Sequence, residues 1–514
     1  MSIRMEMISK HRWLVSLVVI AIVVAISAVI ICSNQVFPVG SAGGTGVVAV
    51  SDNSGGVIVV VHKDNTIYSQ HIDSSGQAQW GDEGLFITEC PFGSSLSIVE
   101  DGLGGAVLSW YDTTSRPDDH DDPMYFEPIP FYCRRITSDG QVIWYDEPVS
   151  TGNNRLVVSD GSGGAIIAWD DYSVYYRGLW DNYLCLQKIS PDGNYLWGND
   201  GILVVSSSPF RPLTDEEKAA GIKGTYIRSR PTYNGFHRIV GNGDGGVFVF
   251  WDEEQEVGSG GVNVYAQNLD ASGEYLWSER VAVAGKESVS AGRVTVVDRR
   301  LVSAASDGSG GAIVIIFGPT KMTSNSQFTR IHIDSDGTIS EMLGFDPADI
   351  VIGDGAGGNF IIRIEEDPSY GDPRERLHIH WIKRMDSSDQ PVWEERRALP
   401  DDDRKYEQVH YTPDRNGGII VSWILERRSN VYTDARARKL DSHGTTMWEE
   451  QGVPVFDIPG VVYQRIDTVF SDQSSGVIVI GRLGNNAVRG DMIYAQRLNS
   501  EGVCVWGGGI RIDH

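Results

Sequence analysis

Three short stretches place a tryptophan beside carboxylate side chains at the end of an apolar run. They are Trp110-Tyr111-Asp112, Trp169-Asp170-Asp171 and Trp251-Asp252-Glu253. An aromatic ring can stack on a sugar, a peptide or a cationic group while a neighbouring carboxylate accepts hydrogen bonds. These residues are therefore candidates for a binding site. The alternative is that each tryptophan packs in the core and each aspartate caps the start of a loop.

An aromatic segment follows the second of these stretches directly. Residues 172–180 read YSVYYRGLW and contain four aromatic side chains. So many aromatic residues are difficult to bury together in one variable connection, so we predict that Tyr175, Tyr176 and Trp180 contact a ligand.

A run of acidic residues, Asp118-Asp119-His120-Asp121-Asp122, offers oxygen ligands of the kind that Ca²⁺ prefers. The run lacks the Asp-x-Asp-x-Asp-Gly spacing of an EF-hand loop. A solvated acidic loop is the simpler interpretation, and no other metal site or cofactor is predicted.

Motifs for catalysis are missing from the sequence. There is no Gly-x-Ser-x-Gly, no His-Glu-x-x-His and no Gly-x-x-x-x-Gly-Lys. Phe210-Arg211-Pro212 matches a sialidase arginine motif only in part. We therefore predict a protein that is not an enzyme and assign no catalytic residue.

A repeat runs along most of the chain and must position these candidates. Each copy begins with an Asp or Asn followed four residues later by a Gly. Asp and Asn bond the backbone two residues on, and Gly adopts positive φ, so each copy predicts a tight turn. The successive glycines are 47 to 82 residues apart, a spacing typical of propellers and solenoids: Gly56, Gly105, Gly164, Gly246, Gly311, Gly358, Gly418 and Gly476.

A second turn in seven of the eight copies ends in a tryptophan. Because a large aromatic ring buries much area, we predict that this residue packs between neighbouring repeats. The seven are Trp80, Trp144, Trp197, Trp277, Trp393, Trp448 and Trp506.

Each copy predicts four strands, named A to D in chain order. In the first copy these are residues 47–51, 57–62, 66–72 and 77–87, and the last copy closes with a strand over 503–512. Four-stranded units repeated about an axis form a β-propeller. We predict an all-β fold, an eight-bladed β-propeller over residues 46–514, with a linear array as the alternative.

The second turn resembles the tryptophan-docking repeat of PQQ-type eight-bladed propellers. The resemblance rests on residues 265–277 (YAQNLDASGEYLW) and 494–506 (YAQRLNSEGVCVW). The Asp-x-x-Gly-Gly turn is also similar to repeats of bacterial surface proteins. The resemblance implies the propeller fold. The chain lacks the adjacent cysteine pair expected in quinoprotein dehydrogenases, so PQQ binding is not predicted.

Strand alternation sorts the connections onto two faces. The A–B and C–D turns share one face, here called the turn face, and the B–C and D–A connections share the other, the loop face. The turns are short in every copy, whereas all long connections belong to the loop face. Long loops on a rigid scaffold often carry binding residues, so this face is the predicted binding face. The long segments are 111–130, 170–182, 206–239, 251–261, 280–300, 365–377 and 426–433.

The N-terminal region predicts a membrane anchor. Residues 1–12 form a basic tail, 13–32 an apolar stretch long enough to span a bilayer, and 33–45 a short tether. The basic tail places the N-terminus in the cytoplasm and the repeats outside. The formal net charge of −26 repels a phosphate backbone, so no nucleic-acid partner is predicted.

The five cysteines contain no Cys-x-x-Cys pair, and a bridge between Cys133 and Cys185 is left open. Together these features predict a single-pass, membrane-anchored, extracytoplasmic propeller. It would bind a protein or a glycan at the cell surface or act as a scaffold. A hydrolase of surface glycans and a structural surface component are the alternatives.

Overall fold

A computed structural model describes residues 46–513 outside a set of short gaps. The predicted tail, anchor and tether, Asp112 and the acidic run 118–122 all lie outside the described residues. The gaps are 91–95, 112–129, 145–147, 151–152, 177–178, 208–209, 213–225, 229–231, 255–261, 285–287, 291–292, 296–299, 308, 320–325, 343–349, 356–357, 367–377, 387–389, 401–405, 428–431 and 486–487.

Eight four-stranded antiparallel sheets follow one another along the chain, each with its strands paired in sequence order. The strands of the first four sheets are β1 (Gly46–Ser51), β2 (Val57–Lys63), β3 (Thr66–Ile72), β4 (Leu85–Glu89); β5 (Leu96–Glu100), β6 (Ala106–Tyr111), β7 (Phe131–Ile136), β8 (Val142–Ile143); β9 (Asn153–Ser159), β10 (Ala165–Tyr176), β11 (Leu179–Ile189), β12 (Ile202–Ser207); and, after the hairpin β13 (Phe210–Pro212) and β14 (Tyr226–Arg228), β15 (Thr232–Gly241), β16 (Val247–Glu254), β17 (Val262–Leu269), β18 (Val281–Ala284).

The second half of the chain continues the pattern after a small hairpin of β19 (Ser288–Ser290) and β20 (Arg293–Thr295). Its four sheets comprise β21 (Arg300–Ser306), β22 (Ala312–Pro319), β23 (Ser326–Ile333), β24 (Ile339–Met342); β25 (Ile350–Gly353), β26 (Asn359–Glu366), β27 (His378–Met385), β28 (Pro391–Arg397); β29 (Tyr406–Pro413), β30 (Ile419–Arg427), β31 (Tyr432–Leu440), β32 (Val453–Pro454); and β33 (Tyr463–Ser471), β34 (Val477–Asn485), β35 (Val488–Leu498), β36 (Ile510–Arg511).

The eight sheets form a closed propeller. At seven joints the first strands of neighbouring sheets contact one another, including β1 of the first sheet and β33 of the last, so the A strands lie around the axis. One apolar cluster joins the first and last sheets through Val59, Ile480 and Trp506. Among the described residues the two sheets share no strand, and side chains such as Trp506 make the contacts that close the ring. The eight-bladed prediction is confirmed, and the linear-array alternative is wrong.

The outermost strands are shorter than predicted. The fourth strand of the first sheet starts at Leu85 rather than at residue 77, and β36 of the last sheet covers only Ile510–Arg511. Gly81 and Gly84 have φ values of 76° and 71°, which interrupt an extended strand. A side chain at Gly84 would meet the carbonyl oxygen of Ser69 at 2.6 Å, so this turn requires glycine.

The aromatic segment of the third sheet is a strand extension rather than an irregular loop. Strands β10 and β11 continue to Tyr176 and from Leu179, with Tyr175 paired to Trp180 beyond a register shift. The prediction of a variable loop over 170–182 was wrong because valine and aromatic residues favour extended backbone.

The recurring tryptophans pack between sheets, as predicted. Six of the seven indole Nε1 groups donate a hydrogen bond of 2.9 to 3.4 Å to a carbonyl in the second turn of the next sheet. Trp393 packs instead against Gly444 of the next sheet. Trp506 donates to Ser74 of the first sheet and so closes the ring. No helix in the described ranges is long and apolar enough to cross a membrane.

Candidate functional site

A ring of buried polar pairs lies on the turn face. The Oδ1 atom of each turn-capping Asp or Asn accepts the backbone N–H of the glycine four residues later, at 2.7 to 3.0 Å. Seven of the eight caps also pair through Oδ2 with a basic side chain, 2.7 to 3.2 Å away. That side chain is the next-to-last residue of strand C in the same sheet. The pairs are Asp52–His71, Asp101–Arg135, Asp160–Lys188, Asp307–His332, Asp354–Arg384, Asp414–Lys439 and Asp472–Arg497.

The Lys and Arg members of this ring also bind the next sheet. Lys188 Nζ donates to the carbonyl of Gly245 at 2.7 Å, in the first turn of the fourth sheet. Arg497 Nη1 donates to the carbonyl of Ser74 at 3.1 Å, in the second turn of the first sheet. Each of these side chains therefore neutralises a buried carboxylate and hydrogen-bonds to the next sheet. These contacts stabilise the packing of neighbouring sheets on the turn face.

Three of the ring carboxylates, Asp52, Asp160 and Asp307, have lowered pKa values that reflect these contacts. Burial raises the pKa of Asp52, but hydrogen bonds from His71, Ser54 and the turn backbone outweigh it and hold the pKa at about 2. The same balance, with His332 as the basic partner, lowers the pKa of Asp307 to about 2. The hydrogen bond to Asp307 in turn raises the pKa of His332.

The predicted site residues of the third sheet divide into a buried and an exposed member. Asp170 is fully buried, with Oδ1 lying 3.1 Å from Nδ1 of His237 in the fourth sheet and Oδ2 accepting a 2.6 Å hydrogen bond from Asn154. Asp171 is exposed. Trp169 is half-buried and packs against the core between the second and third sheets. Asp170 therefore joins two sheets, whereas Asp171 faces solvent.

The equivalent residues of the fourth sheet also form an inter-sheet contact. Asp252 is 3% exposed and accepts the backbone N–H of Leu301, in the fifth sheet, at 2.9 Å. Burial lowers the pKa of Arg238 to about 10, although the Asp252 charge opposes this shift. Arg238 Nη2 donates to the carbonyl of Val302 at 3.3 Å. The Asp252 carboxylate and the Arg238 guanidinium thus hydrogen-bond the fourth sheet to the fifth.

The tryptophans of these stretches contribute to packing. Trp251 is 2% exposed, and its Nε1 donates to Glu253 Oε2 at 3.2 Å. That carboxylate also pairs with Arg280, which lies 4.0 Å over the Tyr265 ring.

In the second sheet, Trp110 is 4% exposed. It stacks on Tyr132 with ring centroids 5.5 Å apart. In the described residues, the packing and capping interpretation accounts for the contacts of Trp110 and Trp251.

For Tyr175, Tyr176 and Trp180 the structure describes the backbone, which lies in the extension of β10 and β11 on the loop face. Their role as contact residues stays a prediction. The extension places them on the same face as Asp171, so the sequence-based grouping of these four residues is spatially consistent.

The basic residue of each ring pair was not predicted from the sequence, although a recurring sequence position marks it. A His, Lys or Arg stands one residue before the end of strand C in seven of the eight repeats. The pairing of His237 with Asp170 has no such signal, because it joins residues of different repeats that only ring geometry brings together.

The cysteines form no bridge between the second and third sheets. Cys133 and Cys185 are both buried, unbridged thiols. Burial raises the pKa of Cys133. Burial, with the nearby charges of Asp171 and Asp170, raises the pKa of Cys185 to about 12. These groups are packing residues with low thiolate character. Across the described ranges, no group of three or more His, Cys, Asp or Glu side chains could hold a metal ion.

The chain matches no protein-family model, and no curated protein is significantly similar to it. Similar solved structures include the β-propeller domain of the trilobed protease from Pyrococcus furiosus, with 10% identity and a TM-score of 0.37. The match covers 76% of this chain and 89% of that one. Prolyl oligopeptidase B from Galerina marginata has 12% identity and a TM-score of 0.37 over 92% of this chain and 52% of that one.

A protein of unknown function from Dyadobacter fermentans has 12% identity and a TM-score of 0.29, over 64% of this chain and 90% of that one. The chain spans about half the length of prolyl oligopeptidase B. At such identities and scores the similarity carries no conclusion about activity. The strand pairing described above assigns this chain to the eight-bladed β-propellers.

Proposed function

We propose that this protein is a membrane-anchored, extracytoplasmic propeller that binds a protein or a glycan at the cell surface, or scaffolds one, through its loop face. One observation carries the proposal. The longest connections, those after β6, β12 and β18, all leave the same face, whereas buried ion pairs and tryptophan hydrogen bonds hold the turn face. A rigid scaffold with variable loops on one side is a common design for recognition.

The extension of β10 and β11 is the most prominent described feature of the loop face. Five residues, from Tyr172 to Tyr176, continue β10 beyond the exposed Asp171. At about 3.3 Å per residue this adds roughly 16 Å of strand. We propose that this hairpin, with Tyr175, Tyr176 and Trp180, provides the first contact with the partner.

The predicted anchor constrains where that partner lies. β1 is an A strand, so the chain enters the propeller at Gly46 on the loop face. A short tether over 33–45 would then orient the loop face toward the membrane. We propose a partner close to the membrane surface, a bacterial surface location, and repeats related to those of PQQ-type propellers.

A glycan hydrolase is the second candidate. Such an enzyme would collect two or three carboxylates around one pocket near the axis. Among the described strand-B ends, Asp170, Asp252 and Glu253 are instead each bound to side chains or backbone of the protein itself. This observation favours binding over hydrolysis. A structural surface component is the third candidate.

Site-specific photo-crosslinking tests the binding face. The full chain carries p-benzoylphenylalanine in place of Asp171 on the loop face or, as the matched control, in place of Leu196, which is 51% exposed on the turn face. We expect an adduct in native membranes from position 171 only. Replacing residues 172–182 by Asn-Gly should weaken capture by a second crosslinker placed at Glu254. Equal adducts from both faces would contradict the proposal, and reducing sugar released from surface polysaccharide would support the hydrolase instead.

A further inference from the structure

The joint between the fourth and fifth sheets differs from every other joint of the turn face. At the position where seven sheets carry His, Lys or Arg, the fourth sheet carries Asn268, and its turn is capped by Asn242 instead of Asp. Asn242 Nδ2 donates to Asn268 Oδ1 at 2.9 Å and to the carbonyl of Leu269 at 3.0 Å. The turn is satisfied here by two neutral amides, without an ion pair.

A cavity of about 380 Å³ lies at this joint, a volume within the range of small-molecule sites. Asn242 and Asn268 line it together with Leu276 and Trp277 of the fourth sheet. The carboxylates of Asp244 and Asp336 also line it. Asparagine is several atoms shorter than lysine or arginine, so the space that a long basic side chain fills elsewhere is open here.

The carbonyl acceptors of the ring are repeated at this cavity. Lys188 donates to Gly245 in the first turn of the following sheet, and the residue in that position of the fifth sheet, Gly310, lines the cavity. Arg497 donates to Ser74 in the second turn of the following sheet. The corresponding carbonyl of Ser335 lines the cavity and accepts hydrogen bonds from Trp277 Nε1 at 2.9 Å and, at a longer 3.4 Å, from Asn268 Nδ2. The acceptors that a cationic group meets at other joints are therefore present, with a neutral amide in place of the charge.

We propose that this cavity binds the guanidinium or primary ammonium group of another molecule, which occupies the place that the chain's own lysine and arginine side chains fill at five other joints. Turn carbonyls and the Asp244 and Asp336 carboxylates supply acceptors, and Leu276 and Trp277 contact the alkyl part. The net charge of −26 attracts cations to the surface. The source is a free amine or a basic side chain of a partner protein.

Calorimetric titration of the full chain with argininamide tests the proposal, with citrullinamide as the neutral control of nearly equal shape. We expect argininamide to bind and citrullinamide to bind at least tenfold more weakly. The Asn268→Arg variant places a guanidinium in the cavity and should abolish binding. Asn242→Asp restores the carboxylate of the other joints and should tighten binding about fivefold, since a hydrogen bond to a charged group is about 1 kcal/mol stronger than a neutral one.

Gln141→Glu adds the same charge at an exposed turn of the second sheet and should leave binding unchanged. Equal binding of the two amides, or unchanged binding in Asn268→Arg, would overturn the proposal. If Asn268→Arg does not fold, the Asn242→Asp and Gln141→Glu pair decides, because a general charge effect would change both alike. Tighter binding of the peptide acetyl-Gly-Arg-Gly-amide than of argininamide assigns the site to a protein partner, and weaker binding assigns it to a free amine.

Discussion

Removing one basic residue from the turn-face ring should destabilise the protein more than removing both members of the pair. The second sheet offers the sharpest case. Asp101 is fully buried, and its Oδ2 accepts two hydrogen bonds from Arg135, at 2.8 Å from Nε and 2.7 Å from Nη2. Its Oδ1 accepts the backbone N–H groups of Leu103 and Gly105 at 2.8 and 2.7 Å. Arg135→Asn therefore leaves a buried carboxylate without its positive partner and with fewer hydrogen bonds.

The magnitude follows from the cost of an uncompensated buried charge. Breaking a buried pair by removing one partner costs about 3–5 kcal/mol, and we expect this loss for Arg135→Asn. The double variant Asp101→Asn/Arg135→Asn copies the amide pair of Asn242 and Asn268, which already occurs in the fourth sheet. It loses mainly the hydrogen bond from Arg135 to Pro191 in the next sheet. The double variant should therefore cost only about 1–2 kcal/mol.

Urea unfolding followed by tryptophan fluorescence and far-ultraviolet circular dichroism measures these losses. Coincident transitions are required before the midpoints are converted to free energies. Arg363→Asn is the matched control, because Arg363 pairs with Glu365 and Glu395 and all three side chains are one-third or more exposed. An exposed pair contributes at most about 1 kcal/mol. If Arg135→Asn costs no more than Arg363→Asn, or the double variant costs the sum of the two single variants, the reasoning about buried charge is refuted.

Three further predictions follow from the same contacts. Trp506→Phe should lower the free energy of unfolding by about 1 kcal/mol more than Trp393→Phe. The Trp506 variant loses a hydrogen bond across the ring closure, whereas Trp393 Nε1 has no partner among the described residues. Equal urea midpoints of the two variants would contradict this. Folding lowers the pKa of Asp307 to about 2, so its contribution to the free energy of unfolding is complete above pH ~4 and is lost as the pH falls toward ~2. Asp307→Asn should therefore reduce the slope of the free energy of unfolding against pH in this acid range. An unchanged slope would count against the ion pair. Burial raises the pKa of Cys133, so peptide mapping after iodoacetamide treatment at pH 8 should find it unlabelled in the native protein and labelled in urea; rapid native labelling would show that this strand is accessible.

Much of the fold was predictable from sequence because its signals are local. A capping aspartate such as Asp160 and its glycine lie four residues apart, so one short sequence motif predicts the hydrogen bond between them. Strand alternation is equally local, and with the turns it predicted eight four-stranded blades and the sorting of connections between two faces. The errors at residues 77–87 and 170–182 arose where glycine φ angles or strand propensity decided a boundary.

The candidate site was less predictable because its contacts join distant residues. The stretch Trp169-Asp170-Asp171 lies within β10 rather than at its end, and nothing local indicates that Asp170 is buried against His237 while Asp171 is exposed.

The sequence by itself determined the repeat, its turns and the composition of each face. Only the tertiary structure decided which polar groups meet: the cation on each third strand with its capping aspartate, Trp506 with the first sheet, and the two amides beside an open cavity at the fourth joint. The physical reason is that turn hydrogen bonds form within a few residues of chain. Ion pairs and cavities instead depend on how whole sheets pack around an axis, which no short stretch of sequence records.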